Sequence, residues 1–370
     1  MLIGVPKEIK NHEYRVGLTP ESVEELIQDG HQVWVEKDAG CGIGSVDAEY
    51  EAAGAVIKAT AKEIFGACDM IIKVKEPQPE ECTMLRAGQI LYTYLHLAPD
   101  PAQTQALLKS GAVCIAYETV TDEGGDLPLL KPMSQVAGRL AIQTGATALQ
   151  KDSGGRGVLL GGVPGVAPAK VVIIGGGDVG FNAAQMAVGL GADVTILDRD
   201  SEVMEQLSNH FGNRVKVIRS TPAVIDDLIT TADMVVGAVL IPGAAAPKLI
   251  TREMLSTMMD GSVLVDVAID QGGCFETSKP TTHENPIYVV DGVVHYCVAN
   301  MPGAVARTST YALNAATLGH AMQIARHGWK QALANDPHLL NGLNVCEGKL
   351  TYAAVGEAQG LESVEASSCV

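Results

Sequence analysis

The sequence predicts an α/β protein built from two doubly wound parallel-sheet domains, joined by long helices and separated by a cleft. Three observations lead to that reading. A chain of 370 residues is too long for one ordinary core of about 100–150 residues. Hydrophobic residues make up 47% of it and charged residues 19%, which supports large aliphatic cores and excludes disorder. Short β-branched runs alternate with helical segments twice over, as expected of strands covered on both faces by crossover helices.

In the first half, Leu2–Val5, Gln32–Glu36, Met70–Val74, Gln89–Leu95 and Ala112–Tyr117 read as buried strands. Thr19 is placed to cap a helix that opens at Pro20 and closes at Gly30, Thr60 and Glu63 form a capping-box pattern, and Asp100-Pro101 starts a helix that stops at Gly111. A regular apolar pattern from Ser134 to Leu149 predicts a longer helix, and the domain crossing falls just before it. Lys151–Lys170, with six glycines and two prolines, is a turn-rich approach to the second alternation. There Val171–Ile174, Val194–Leu197, Met234–Val236, Val263–Val267 and Val294–Val298 read as strands, followed by a long helix over Ala304–Arg326. The remaining tail is too short to fold alone and is expected to return to the first domain. The domains are therefore residues 1–133 with 305–370, and residues 134–304.

Charge and cysteine usage exclude several functions. With 26 basic and 43 acidic residues, the net charge of −17 repels nucleic-acid backbones and anionic membranes, so neither is expected as a partner. The eight cysteines, at 41, 68, 82, 114, 274, 297, 346 and 369, include no C-x-x-C pair and read as reduced thiols of a cytoplasmic protein. No apolar run reaches the roughly 20 residues of a membrane span, and the polar, charged start of the chain carries no export signal.

One motif carries specific chemistry. Gly175, Gly177 and Gly180 form G-x-G-x-x-G between a strand and a helical run, Phe181–Gly189, which is the context of a Rossmann dinucleotide fingerprint. Gly175 permits the tight turn, Gly177 lets a pyrophosphate approach the helix N-terminus, and Gly180 lets helix and sheet pack closely. Asp198 ends the next strand, 18 residues beyond Gly180, where a carboxylate binds a ribose 2′-hydroxyl. That favours NAD over NADP, with adjacent Arg199 the one cation that would soften repulsion of a 2′-phosphate.

Ligands of open α/β sheets bind beyond the carboxyl ends of the strands, which selects further candidates by position. Lys75 and His96 each follow a first-domain strand, and Arg15 lies in the loop after the first strand, suited to grip a carboxylate. Asp270 follows Val263–Val267 on the corresponding rim of the second domain, where a nicotinamide would lie. Glu118 also follows a strand, as a partner for Lys75, and Cys274 has no activating base; neither is chosen.

Met1-Leu-Ile-Gly-Val-Pro-Lys-Glu-Ile-Lys10, Arg15-Val-Gly-Leu-Thr-Pro20, Lys73-Val-Lys-Glu-Pro77, Thr93-Tyr-Leu-His-Leu97, Gly161-Gly-Val-Pro-Gly-Val166, Asp266-Val-Ala-Ile-Asp-Gln-Gly-Gly273 and Val298-Ala-Asn-Met-Pro302 together resemble the bacterial L-alanine dehydrogenases, nearly end to end. The resemblance implies a soluble homo-oligomer, usually a hexamer, that uses NAD to interconvert L-alanine with pyruvate and ammonia. It implies that Arg15 and Lys75 bind the substrate carboxylate and carbonyl and that His96 and Asp270 are the catalytic pair. It places cofactor contacts on Ser134, Asp178, Val179, Asp198, Ser220, Val239, Leu240, Val267, Ala268, Ile269, Asp270, Lys279, Val298, Ala299, Asn300 and Met301. Where some members hold a metal through an acidic residue and a His one helical turn apart, this chain has Gln323 and His327, and no metal is assigned.

Two other readings compete: the NAD(H)-binding subunit of a proton-translocating transhydrogenase, and a catalytically silent NAD-sensing module. Lys75 and His96 favour the dehydrogenase, because transfer between two nucleotides needs no base for amine and water chemistry.

Overall fold

The computed structural model describes residues 1–239 and 246–370. Among them the strands are β1 (Leu2–Val5), β2 (Gln32–Glu36), β3 (Val56–Lys58), β4 (Met70–Ile72), β5 (Ile90–Thr93), β6 (Val113–Ala116), β7 (Lys170–Ile174) and β8 (Asp193–Asp198). They continue with β9 (Val215–Arg219), β10 (Met234–Gly237), β11 (Val263–Asp266), β12 (Ile287–Val290), β13 (Val293–Tyr296), β14 (Leu343–Cys346) and β15 (Lys349–Leu350). The chain divides into two compact units, Met1–Met133 with Gly303–Val370, and Ser134–Pro302.

The first unit is an eight-stranded sheet in the order β15-β14-β6-β5-β4-β1-β2-β3. β1 pairs in parallel with both β2 and β4, so the chain winds outward from β1 in one direction and then returns to wind outward in the other. The loops after β1 and β4 flank this switch point, where doubly wound sheets open a crevice. The tail returns to this unit, as expected, and adds β14 antiparallel to β6 and β15 antiparallel to β14. One core cluster packs Phe65, Ile71, Leu91, Leu95 and Cys114 from the first segment against Val345 from the tail.

The second unit repeats the plan in seven strands, β12-β13-β11-β10-β7-β8-β9, with its switch point between β7 and β10. The hairpin partner β12 runs antiparallel to β13. Val172, Ile174, Leu197, Val235, Leu264 and Phe275 fill a core cluster of this unit.

Helix punctuation follows local chemistry. Thr19 accepts from the Ser22 amide at the start of the helix Pro20–Gln28, and Asp100 accepts from Gln103 at the start of Pro101–Ser110. Thr60 and Glu63 close a reciprocal capping box on Ala61–Ala67. The long helices run Lys131–Ala148 and Ala306–His327.

Two differences from the sequence reading have physical causes. β3, β9, β12, β14 and β15 were not anticipated; β9 (Val-Lys-Val-Ile-Arg) is an edge strand carrying charge, and β14 and β15 come from a mixed tail, so neither offers the apolar run of a central strand. The sheets also carry antiparallel pairs at one edge, where only parallel pairing was expected. All eight cysteines are free thiols and most are buried. Burial pushes the Cys68 and Cys274 thiols up to about 12, which keeps them protonated and unreactive.

His295 on β13 is fully buried, its Nδ1 3.0 Å from the Val293 carbonyl oxygen and its Nε2 2.7 Å from Thr277 Oγ1. Burial pushes its pKa below the ordinary value, so the fold holds it neutral. Above about pH 6.5 the unfolded chain is neutral there too and the group is silent; below it the unfolded state binds the extra proton. His295 should therefore cost stability as pH falls from about 6.5 towards its lower folded value, by at most about 1.4 kcal/mol per pH unit. Urea unfolding between pH 7.5 and 5 should show a shallower decline for His295→Gln than for the parent chain.

Candidate active site

The candidate residues of the first unit sit on the carboxyl edge of its sheet. Arg15, in the loop after β1, is only 2% exposed. Glu13 holds it by Nε to Oε1 at 2.7 Å and Nη2 to Oε2 at 2.5 Å, and also accepts from the Arg15 amide at 3.0 Å. Burial opposes the guanidinium charge, but the bonds and charge of Glu13 outweigh it and raise the pKa. The helix Ala306–His327 fixes this loop: Thr310 accepts from the Val16 amide, while Asn314 accepts from the Thr19 amide and donates to the Gly17 carbonyl.

Lys75, 9% exposed, follows β4, and its ammonium lies 3.9 Å from Glu76 Oε2. Burial would raise Glu76, but Lys75 and Lys10 beside it lower its pKa overall. Two residues earlier Lys73 is fully buried and donates to Glu8 at 3.0 Å and Glu81 at 2.7 Å. Burial works against the Lys73 charge, and the two carboxylates more than restore it. The second oxygen of Glu8 accepts from the Val74 amide at 2.7 Å and the Lys75 amide at 3.4 Å. Loops from β1 and β4 are thus tied together at the backbone of Val74 and Lys75.

His96 follows β5, the strand next to β4, and the two ends are stitched by Tyr94 N donating to the Val74 carbonyl and Thr93 Oγ1 donating to the Lys75 carbonyl. Its side chain is 44% exposed and stacks on Tyr94 with ring centroids 5.7 Å apart. Glu118, in the turn after β6, accepts from the His96 amide at 2.6 Å and lies 3.9 Å from Nδ1. The expected pairing of Glu118 with Lys75 is therefore corrected: β5 lies between β4 and β6 and receives that carboxylate instead. Arg15, Lys75 and His96 all lie on this one edge, on loops from β1, β4 and β5, which are neighbours in the sheet.

In the second unit the fingerprint residues show what the motif requires. Gly175 has φ +104°, and a Cβ on it would meet the Ala238 carbonyl oxygen at 2.6 Å. A Cβ on Gly180 would sit 1.8 Å from the Gly175 carbonyl oxygen. Gly177, by contrast, faces open space, with nothing within 4 Å of a Cβ built there. It is the N-cap of the helix Asp178–Gly189 and has no side chain to cap it, so backbone N–H groups and the helix dipole face that space. Asp178 is exposed there and Val179 is buried.

Asp198 accepts from the Gly176 amide at 2.6 Å and from the Arg199 and Asp200 amides, which presents its carboxylate beside the glycine turn. Ser220, after β9, donates its amide to the Asp198 carbonyl. Val239 follows β10, and Leu240 lies outside the described residues. Gly138 brings the helix Lys131–Ala148 against Val179 and Asn182, with half-buried Ser134 one turn earlier on the same face.

After β11 come Val267, whose amide donates to the Gly237 carbonyl, then buried Ala268 and Ile269, then exposed Asp270. Asp266, fully buried, accepts from the amides of Ala268, Cys274 and Phe275 and from Ser278 Oγ. Burial raises the Asp266 pKa and these donors pull it partway back. After β13, Val298 is buried, Ala299 donates to the Thr281 carbonyl, Asn300 has φ +61° with its carbonyl 3.1 Å from His283 Nε2, and Met301 is buried. Lys279 is exposed, its ammonium 5.9 Å from the Tyr288 ring centroid. Gln323 and His327 are both exposed on the helix Ala306–His327. Among the described residues no cluster of three or more His, Cys, Asp or Glu is arranged to hold a metal.

Sequence reasoning missed Glu8, Glu13, Lys73, Glu81 and Asp266 as parts of these sites, and weighed Glu118 only as a partner for Lys75 without choosing it. The available signal was a charged residue directly after or ending an apolar strand, which Lys73, Glu118 and Asp266 display.

Residues 4–137 match the family model for alanine dehydrogenase/PNT, N-terminal domain, and residues 141–353 match that for alanine dehydrogenase/PNT, C-terminal domain. The chain belongs to the alanine dehydrogenase/PNT family. Within that family it is 61% identical over 370 residues to an alanine dehydrogenase of Halomonas elongata, covering 100% of both chains. A solved L-alanine dehydrogenase superposes with a TM-score of 0.94 at 51% identity, over 97% of this chain and 99% of that one. A transhydrogenase from Sinorhizobium meliloti superposes with a TM-score of 0.84 at 26% identity, over 95% and 100%.

Two glycine substitutions separate folding from ligand approach. Gly180→Ala forces a carbonyl clash and should destabilise the chain by about 1–3 kcal/mol in urea unfolding, with loss of any pyridine-nucleotide binding. Gly177→Ala should cost less than about 1 kcal/mol, yet weaken binding of a reduced pyridine nucleotide at least about tenfold in fluorescence titration.

Proposed function

We propose that this chain is an L-alanine dehydrogenase, which interconverts L-alanine and NAD with pyruvate, ammonia and NADH, acting in the cytoplasm as a homo-oligomer, a hexamer being favoured. The observation that carries the substrate chemistry is the placement of Arg15, Lys75 and His96 on one sheet edge. Full-length identity of 61% to an alanine dehydrogenase, against 26% to a transhydrogenase, supports the same choice. Among the described residues no helix is long and apolar enough to cross a membrane.

The cofactor fits the second unit because Gly177 leaves open space before an uncapped helix N-terminus and Asp198 presents a carboxylate beside it. Gly175, Gly177, Gly180, Asp178 and Val179 would hold the pyrophosphate, and Asp198 the ribose. When bound, NAD supplies the acceptor for the hydride leaving the alanine Cα, and NADH returns it in reverse.

The remaining work falls to this chain's own side chains. Arg15, fixed in orientation by Glu13, supplies positive charge to the substrate carboxylate. Loss of hydride from the alanine Cα leaves an iminium carbon that water must attack, so a group has to take the water proton and return one to the departing amine. His96 suits that exchange, because an imidazole can accept a proton on one ring nitrogen and return it. Its Nδ1 faces Glu118, leaving Nε2 as the exchanging atom. Lys75 stabilises the negative charge developing on the former water oxygen. Asp270 offers a counter-charge to the ammonium-bearing intermediate.

The direct test mixes purified protein, NAD and L-alanine at mildly alkaline pH and follows NADH absorbance. NADH should form with L-alanine and NAD, and not with D-alanine; NADP should support a much lower rate. His96→Ala should lower kcat about 100-fold or more while NADH binding stays within about twofold. Turnover at the parent rate in that variant would remove His96 from the mechanism. If instead the protein passes hydride between two dinucleotides and ignores alanine, the transhydrogenase reading takes its place.

A further inference from the structure

We propose that Glu118 is a positioning residue that aims the His96 imidazole by clamping its backbone. The inference rests on the role of His96 proposed above. His96 adopts φ +49°, a left-handed conformation that side chains other than glycine rarely hold unless their surroundings impose it. Its side chain holds it only loosely, being 44% exposed, stacked on Tyr94 and 3.9 Å from Glu118 through Nδ1. The constraint acts on the main chain instead. Glu118 Oε1 accepts from the His96 amide at 2.6 Å and the Leu95 amide at 3.1 Å, and Oε2 accepts from the Leu95 amide at 3.2 Å. Two consecutive N–H groups pointing at one carboxylate form a small anion nest, and the charge on the acceptor strengthens both bonds.

The clamp is itself anchored. Glu118 lies in the turn Tyr117–Thr119, held on one side by Tyr117 donating to the Lys73 carbonyl at 3.0 Å. On the other side Asn344 of β14 donates to Thr119 Oγ1 at 2.8 Å. Gln103 donates to the Leu95 carbonyl at 3.1 Å, so the peptide before His96 is fixed from both faces. One turn thereby sets the direction of the imidazole and touches the peptide segment that leads to Lys75.

Glu118→Ala and Glu118→Gln test this. The second keeps an oxygen that accepts from the same amides. Hydrogen exchange of the peptide spanning Leu95 and His96 should accelerate at least tenfold in Glu118→Ala and less than threefold in Glu118→Gln. In the alanine assay, Glu118→Ala should lower kcat 10- to 100-fold with KM for alanine changed less than threefold, and Glu118→Gln should recover most of the loss. Placed on His96→Ala, the Glu118→Ala change should remove less than a further twofold, because its effect passes through the imidazole. Unchanged exchange in Glu118→Ala, or an equal kcat loss with and without His96, would overturn the clamp. Accelerated exchange with unchanged kcat would overturn its positioning role. Exchange is read without turnover, so accelerated exchange in a chain whose unmodified form ignores alanine would refute the dehydrogenase reading and leave the clamp standing.

Discussion

Carboxylates that accept backbone N–H groups hold the loops from which the candidate residues project. Glu8 binds the amides of Val74 and Lys75, Glu118 those of Leu95 and His96, and Asp198 those of Gly176, Arg199 and Asp200. Asp266 gathers Ala268, Cys274 and Phe275 around the turn that carries Asp270. The need arises from the architecture. A parallel strand that ends at the carboxyl edge leaves main-chain donors without a ladder partner, and these are costly if buried and unpaired. A carboxylate offers two oxygens and a full charge, so one side chain can satisfy two or three such donors at once. The loops then keep a fixed shape while the residues they carry remain available for chemistry.

Burial sets the balance of this device. It pushes Glu8 and Asp266 above the ordinary carboxylate range, while the donors around them pull in the opposite direction. Glu8 is the extreme case because Glu81 shares the same lysine, leaving a buried group of two acids and one base. Both oxygens of each acid accept hydrogen bonds, which is the arrangement that lets ionised forms persist in a core.

How much of this was legible in the sequence depends on whether a feature is local. The fingerprint at Gly175–Gly180 was legible because strand, turn and helix are consecutive, and Lys75 and His96 were legible because counting to the end of an apolar run places them on a rim. Their partners were not. Glu118 was matched with Lys75 because both follow strands, and only the sheet order, with β5 between β4 and β6, sends it to His96. Glu8 joins Lys73 across 65 residues, a pairing fixed by β1 lying beside β4 and by nothing within either segment. Edge strands such as β9 stayed hidden for a related reason: with one side unpaired they carry charge that a central strand excludes.

The buried Glu8–Lys73–Glu81 group shows why such pairings are placed where they are. Apolar side chains of similar volume would fill this core at little or no loss of stability, since desolvating three charges consumes most of what their attraction returns. They would not fix a direction. A methylene packs in many orientations, whereas the Lys73 ammonium must meet Oε2 of Glu8 while Oε1 meets the Val74 amide, and the fit fails if either loop slides by a fraction of a residue. Glu81 adds a third constraint by reaching the Gln78 amide through its other oxygen, which pins the far end of the segment containing Lys75. We infer that charge in this core serves register more than stability, two residues from the lysine whose position the proposed chemistry depends on.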